Sequence, residues 1–422
     1  MRRLKPGRDT LQTPHPEPPA MTQLPRPRLR GNTWEFPVHH MRGGTSTGLV
    51  IWDPIAPQDH ELREELLRHL MGVPPTGEWP GNRQITGLGR GPATSNKVFF
   101  ASLEDGGAAP RLISTLAQLA SDHGRIDWSV NCGNMSSALQ LWALDTGLVN
   151  GQNAGKNELD ILNTNTGVLT TSRMVIEPDG SFATGEIPGV MGRHPAVDLF
   201  LHRPAGAKTG ALLPTGQAVD VFHGVRASCV DVAVPMVIIP AGELGKTGHE
   251  STRELAADVE LMQRLREIWV EAGLKMQLRR KDGQPMTAQE LLLSETIPKV
   301  CIIGASTIGA DLAVRYFTPQ TVHSSLAVSG GCCLAAATLI PGSVAHDLAP
   351  KQASASFSEI GVDIENPAGV LSTTIVAALR DGQLDIESAA YQRSAQVLLS
   401  GFAPVYGASI ELQRALEQVA GA

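Results

Sequence analysis

The leucines at 62, 66, 67 and 70 fall on one stripe when Glu61 to Met71 is wound at the helical period, which predicts an amphipathic helix over that segment. Ser251 and Glu254 form an S-x-x-E capping box, and the apolar positions that follow predict a helix running to Gly273, read as its C′ residue. Short β-branched runs bounded by Gly and Pro, Val230 to Pro240 and Lys299 to Ile303, predict strands. No apolar run reaches membrane-spanning length.

The pattern also repeats. N-T-G-V-L-T-T-S at Asn165 to Ser172 parallels N-P-A-G-V-L-S-T-T at Asn366 to Thr374, and each is followed by an Asp-Gly pair, Asp179-Gly180 and Asp381-Gly382. The spacing from Gly167 to Gly180 and from Gly369 to Gly382 is 13 residues in both. Upstream of each copy a small-residue turn feeds an apolar helix. The first is N-C-G-N-M-S-S-A-L at Asn131 to Leu139, ending near Gly147; the second is V-S-G-G-C-C-L-A-A-A at Val328 to Ala337, ending near Pro341 and Gly342. Turn, helix, strand and Asp-Gly hairpin recur in that order, so two halves of one plan are expected.

Composition narrows the class. A chain of 422 residues, 42% hydrophobic, has material for two cores, while 43 glycines, 29 prolines and 4% aromatic residues predict frequent turns. The formal net charge of -7 argues against nucleic-acid or membrane-surface binding, so an anionic substrate needs a locally positive pocket. Five cysteines without a C-x-x-C pair, and an N-terminal stretch lacking the apolar core of a signal peptide, fit a reduced, cytoplasmic setting. Residues 1–33, Arg- and Pro-rich without periodicity, read as a disordered arm. Met21 within it allows a later start of translation, and Asp9 and Glu17 argue against a transit peptide. The expected domains are 34–195 and 196–404, the last strand packing on the first domain, followed by a helical tail over 405–422.

Candidate chemistry gathers at the repeat starts. Each helix begins with Gly and other small residues, leaving backbone N–H groups free beside the positive end of the helix dipole. Facing halves would bring both ends onto one cleft, where an acid with two carboxylates could bridge Gly133, Asn134 and Met135 to Ser329, Gly330 and Gly331. Close helix packing explains such glycines equally well. Cys132 opens the first helix, where the dipole favours a thiolate suited to proton transfer; a buried, inert cysteine is the alternative. Val328 stands at the matching place, so one such thiol is expected, while Cys332 and Cys333 read as core. Lys97 follows Gly87, Gly89 and Gly91 where a polar loop becomes a strand, and a surface lysine is the competing reading. Pro92 occupies the sixth position of a would-be G-x-G-x-x-G, so a nucleotide fingerprint is not supported. M-R-G-G-T-S-T-G at Met41 to Gly48 offers Arg42, Gly43, Gly44, Thr45, Ser46 and Thr47 as an oxyanion cradle or a plain β-turn. Arg315 and His323 add a cation or form structural contacts. H-E-x-x-H, C-x-x-C and G-x-S-x-G are absent, and His39 and His40 point to opposite faces of any strand, so neither metal nor cofactor is expected.

In order, M-R-G-G-T-S-T-G, T-S-N-K-V, N-C-G-N-M, L-L-P-T-G, I-P-K-V and V-S-G-G-C-C-L-A-A-A resemble the PrpF family of isomerases over residues 34 to 402. The resemblance implies an α+β, diaminopimelate-epimerase-like fold: two pseudo-symmetric β-barrel-like domains, each around a central helix, with substrate in the cleft between them. It implies a catalytic lysine at Lys97, an active-site cysteine at Cys132, and substrate contacts that include Ser95. Thr47 departs from the family's usual M-R-G-G-T-S-K-G, and Asn366, Pro367, Ala368 and Gly369 stand where H-P-[ST]-G is common. The expected activity is a cofactor-independent proton or double-bond shift in a small unsaturated di- or tricarboxylate resembling 4-oxalomesaconate. The alternatives are 2-methylaconitate or aconitate isomerisation, or a non-catalytic carboxylate-binding accessory role. A homodimer is the expected assembly.

Overall fold

In the computed structural model, residues 24–91, 95–104, 110–151, 154–280 and 282–421 are described. Residues 1–23 of the expected arm, Met21 included, and Pro92 lie outside them. Arg28–Arg30, within the stretch expected to be disordered, forms a short strand paired with Thr33–Glu35.

The duplication seen in the sequence recurs in the strand pairings. Ser46–Trp52 runs parallel to Lys97–Glu104, which is antiparallel to Arg111–Leu119, which is parallel to Gly155–Asn163, which is antiparallel to Val168–Ile176. Val234–Pro240, Lys299–Gly304, Leu312–Thr318, Ser358–Asn366 and Gly369–Arg380 repeat that series with the same senses. In each half an apolar helix lies among the strands. Ala138–Asp145 packs on Thr33–Gly43, Val168–Ile176 and the long strand Gln383–Val405; Val328–Ala337 packs on Val225–Val232, Val234–Pro240 and Gly369–Arg380. These helices are apolar nearly all round because strands surround them. One cluster of buried side chains runs through both halves, joining Met41, Phe99 and Trp142 to Val230, Tyr316 and Leu334. This is the α+β arrangement of two halves around central helices that the resemblance implies.

The strand Gln383–Val405 ties the halves together. Its first part pairs with Gly369–Arg380 and with His194–His202, and its second part pairs with Thr33–Gly43, Ala395 opposite Gly43 and Val405 opposite Trp34. Beyond it, Ile410–Gly421 is a helix that buries Leu412 and Leu416.

The leucine stripe is His60–Met71, capped by Asp59 and closed by Gly72 in the left-handed region, with Leu66, Leu67 and Leu70 buried. Two expectations need correction. The helix opened by the Ser251–Glu254 box ends at Ala257; Asp258 then caps a second helix, Val259–Lys275, through its carboxylate to the Leu261 N–H. Gly273 lies inside that second helix, where it lets Leu291 pack closely. Val230 to Pro240 is also not one strand: the chain reverses at Ala233, φ 63°, between Val225–Val232 and Val234–Pro240.

Candidate active site

Thr33–Gly43 turns back into Ser46–Trp52 through Gly44 and Thr45, and Gly44 supplies the left-handed residue this two-residue reversal needs, at φ 54°. Met41 to Gly48 is therefore a tight hairpin, with Met41, Arg42 and Gly43 as strand residues. A Cβ on Gly43 would sit 2.5 Å from the Asn134 carbonyl oxygen, and one on Gly44 would sit 2.5 Å from Asn134 Oδ1. The two glycines thus let the first helix start pack directly on the hairpin.

The first helix is broken, contrary to expectation: Cys132 caps a single turn, Gly133–Ser136, which leads through Ser137 into Ala138–Asp145. Its sulfur accepts from the Met135 N–H at 3.5 Å, its own N–H donates to Asn131 Oδ1 at 2.7 Å, and Ser46 Oγ lies 3.9 Å from the sulfur. Lys97 opens the strand beside Gly48 and is only 5% exposed, which overturns the surface-lysine reading. Burial lowers the Lys97 pKa below that of an ordinary lysine, and negative charge on Cys132 opposes the shift. Amine and thiol are therefore electrostatic neighbours.

Cys132 opens onto a cavity of about 580 Å³ lined by both halves. Thr45, Asn131, Gly133, Asn134, Pro188 and Gly189 form one wall; His323, Ser324, Ser325, Leu326, Ala327, Val328, Ala368 and Leu371 form the other, with Arg393 reaching in from the long strand. Both helix starts meet this space, as the duplicated pattern predicts. The second helix starts at Val328 with Ala327 as a cap that makes no side-chain hydrogen bond, so the counterpart of the thiol cap is apolar. His323 Nδ1 accepts from the Ser325 N–H at 2.9 Å, which leaves the proton of the neutral imidazole on Nε2.

Other expected contacts are placed elsewhere. Arg42 is buried in the hairpin, where Nη1 donates to the carbonyls of Gly44 and Ser394, both at 3.0 Å, and to Ser394 Oγ at 3.2 Å. Arg315 donates from Nε to the Glu250 carbonyl at 2.6 Å and from Nη1 to the Val314 carbonyl at 2.9 Å, away from the cavity. Gly330 and Gly331 serve packing: a Cβ on Gly330 would lie 2.5 Å from the Tyr316 ring, and one on Gly331 would collide with Leu371. Ser329, Ser95, Gly43, Gly44, Ser46 and Met135 do not line the cavity, although Ser46 and Met135 hold the sulfur. Thr47 pairs with Arg42 across the hairpin, and its Oγ1 is buried with no hydrogen-bond partner among the described residues. Among the described residues no group of three or more His, Cys, Asp or Glu could hold a metal ion, and no helix is long and apolar enough to cross a membrane.

Two further basic residues were not among the expected site residues. Arg393, 7% exposed, donates from Nε to Asn134 Oδ1 at 2.9 Å and from Nη1 to the Gln392 carbonyl at 2.9 Å. Only its place on an alternating strand could have flagged it. Lys299 begins the strand that corresponds to Lys97–Glu104, and burial alone lowers its pKa.

Comparison with known proteins identifies the family. The family model described as "PrpF protein" matches residues 34–406. The candidate isomerase YbhH of Escherichia coli (strain K12) is 33% identical over 343 residues, 80% of this chain and 90% of that protein. The "4-oxalomesaconate tautomerase" of Pseudomonas putida (strain KT2440) is 32% identical over 365 residues, covering 86% and 93%. A solved structure, "Crystal Structure of Methylitaconate-delta-isomerase", superposes with a TM-score of 0.74 at 26% identity over 91% of this chain and 97% of that one. With the family's pattern spanning nearly all of the described residues, this chain belongs to the PrpF family and is an isomerase.

Proposed function

We propose that this isomerase shifts a proton, and with it a double bond, within a small unsaturated di- or tricarboxylate, 4-oxalomesaconate-like in first place and 2-methylaconitate or aconitate in second. One observation carries the reading: Cys132, whose negative charge acts on the buried Lys97, lines a cavity on which both helix starts and Arg393 converge. The names of the tautomerase and methylitaconate isomerase relatives support the substrate class. In this reading residues 34–195 carry the acid–base pair and residues 196–404 supply the facing wall and Arg393.

The reaction is redox-neutral. A base removes an allylic proton, the electron pair delocalises into the adjacent carboxylate or carbonyl as a dienolate, and a proton returns at the far carbon of the conjugated system. Negative charge grows on oxygen in that step, and amides at the two helix starts stabilise it with little reorganisation. The base belongs to an electroneutral pair, because a buried net charge is costly. Amine with thiol makes Lys97 the base, and ammonium with thiolate makes it Cys132.

Incubation with substrate in D₂O tests the pair. Deuterium incorporation lost in Cys132→Ser while Lys97 is intact rules out a lysine-only base; incorporation kept in Cys132→Ser and lost in Lys97→Met assigns abstraction to the lysine. A panel of 4-oxalomesaconate, 2-methylaconitate, aconitate and methylitaconate, followed by ultraviolet absorbance, tests the substrate. Binding without turnover across the panel would favour the accessory role instead.

A further inference from the structure

We propose that Arg393 is the cavity's principal carboxylate-binding residue, a buried guanidinium held ready for an anion that the protein itself does not supply; this rests on the function proposed above. Among the described residues Arg393 forms no ion pair, although it is 7% exposed and lines the cavity. A buried charge without a counterion is costly and persists where something compensates it. Tyr391, its ring centroid 5.4 Å from the guanidinium carbon, gives part of that compensation but no negative charge. The bonds to Asn134 Oδ1 and the Gln392 carbonyl use one hydrogen on Nε and one on Nη1. Three N–H groups, on Nη1 and Nη2, remain as a planar fork suited to a carboxylate.

A second observation points the same way. Arg42 also forms no ion pair among the described residues, and its Nη2 is buried without a hydrogen-bond partner. Both cations flank one turn: Arg42 Nη1 bonds the Gly44 carbonyl, and Arg393 Cδ would be 3.1 Å from a Cβ on Gly44. Two guanidinium groups without a carboxylate partner among the described residues, Arg393 at the cavity and Arg42 behind the same turn, favour a ligand with several negative charges over a monoanion. Thr47 thus takes the place of the family's loop lysine in a hairpin that already carries one buried cation and adjoins another.

The test uses tricarballylate, a saturated tricarboxylate that cannot isomerise, with propionate as monoanion control, and reads affinity by calorimetry and melting temperature with and without ligand. Wild type is expected to bind tricarballylate more tightly than propionate. Arg393→Gln, which can keep the bond to Asn134, is expected to weaken tricarballylate binding by at least about 30-fold. It should also melt no lower than wild type without ligand, whereas a merely structural arginine would lower the melting temperature and leave affinity unchanged. Arg393→Lys should fall between the two, and it carries the test if Arg393→Gln does not fold. Wild-type affinity in either variant, or no tricarballylate binding by wild type, overturns the proposal. Turnover is read separately. An unaltered KM in Arg393→Gln sinks this assignment and leaves the proposed reaction standing; lost binding in that variant, with none of the panel acids converted by wild type, does the reverse.

Discussion

The two halves repeat one another strand for strand, yet they differ where they meet the cavity. The first half leads into its helix through a single turn, Gly133–Ser136, with a thiol cap held by the Met135 N–H, and the lysine at the head of the matching strand feels negative charge on that thiol. The second half begins its helix at Ala327 and Val328 without any side-chain cap, and its corresponding lysine, Lys299, is shifted by burial alone. A duplicated scaffold therefore brings two helix starts to one cavity, and in the proposed reading the acid–base groups stand at only one of them. That asymmetry suits an enzyme that takes and returns a proton by one route, in contrast to a racemase with a base on each face.

The difference is open to attack, most severely through the lysines. Lys97→Met should lower kcat by about 10²–10⁴-fold, the usual contribution of a general acid–base group, while Lys299→Met should leave kcat near wild type. Equal losses would erase the proposed division between the halves. The same variant carries a pH signature. Unfolded Lys97 holds its proton up to the ordinary value of 10.5, whereas the folded residue releases it at lower pH, so wild-type stability rises with pH across that window. Lys97→Met should therefore melt above wild type at neutral pH, and the gap should close as pH rises through the lowered pKa toward 10.5. A gap that widens with pH would refute the buried-amine account.

Glycine substitutions come next in size. Gly133→Ala drives a methyl into the Tyr391 hydroxyl and displaces the sulfur cap, so kcat/KM should fall by about 10²-fold through misplacement of the reacting groups. Gly330→Ala pushes a methyl against the Tyr316 ring at 2.5 Å and should cost about 1–3 kcal/mol of stability in urea unfolding, with kcat retained. The opposite pattern would mean that chemistry lies at the second start. The smallest effect is expected from Ala327→Ser, which gives the second helix the hydroxyl cap it lacks: about 1 kcal/mol of added stability, with a raised KM if substrate draws on the same amides, as the proposed function requires. An unchanged KM would show that those amides do not touch substrate.

What the sequence made legible depended on local signals. The Leu62–Leu70 stripe, the capping box, the Asp-Gly turns and the paired helix starts each rest on residues close in the chain, and each is present in the fold. Asp258 was missed because the apolar period continues across it, although its carboxylate restarts the helix. The reversal at Ala233 was invisible because alanine carries no preference for positive φ. Cations were the hardest to place. Arg42 and Arg315 stand in polar, motif-rich stretches but spend their donors on backbone carbonyls, whereas Arg393 sits in an unremarked strand and reaches the cavity through pairings with residues more than a hundred positions away. Charge in a sequence identifies a cation; only tertiary pairing decides what it faces.

The strand Gln383–Val405 has a consequence for how the protein is made. Thr33–Gly43 leaves the ribosome early, yet a neighbour in its sheet, and the arginine at the cavity wall, are among the last of the described residues to be synthesised. The nascent first half therefore carries an unfilled edge through most of translation, which slows closure of its sheet and exposes a surface that chaperones can recognise. Binding competence should emerge late and abruptly during synthesis, when that single segment seals both halves at once.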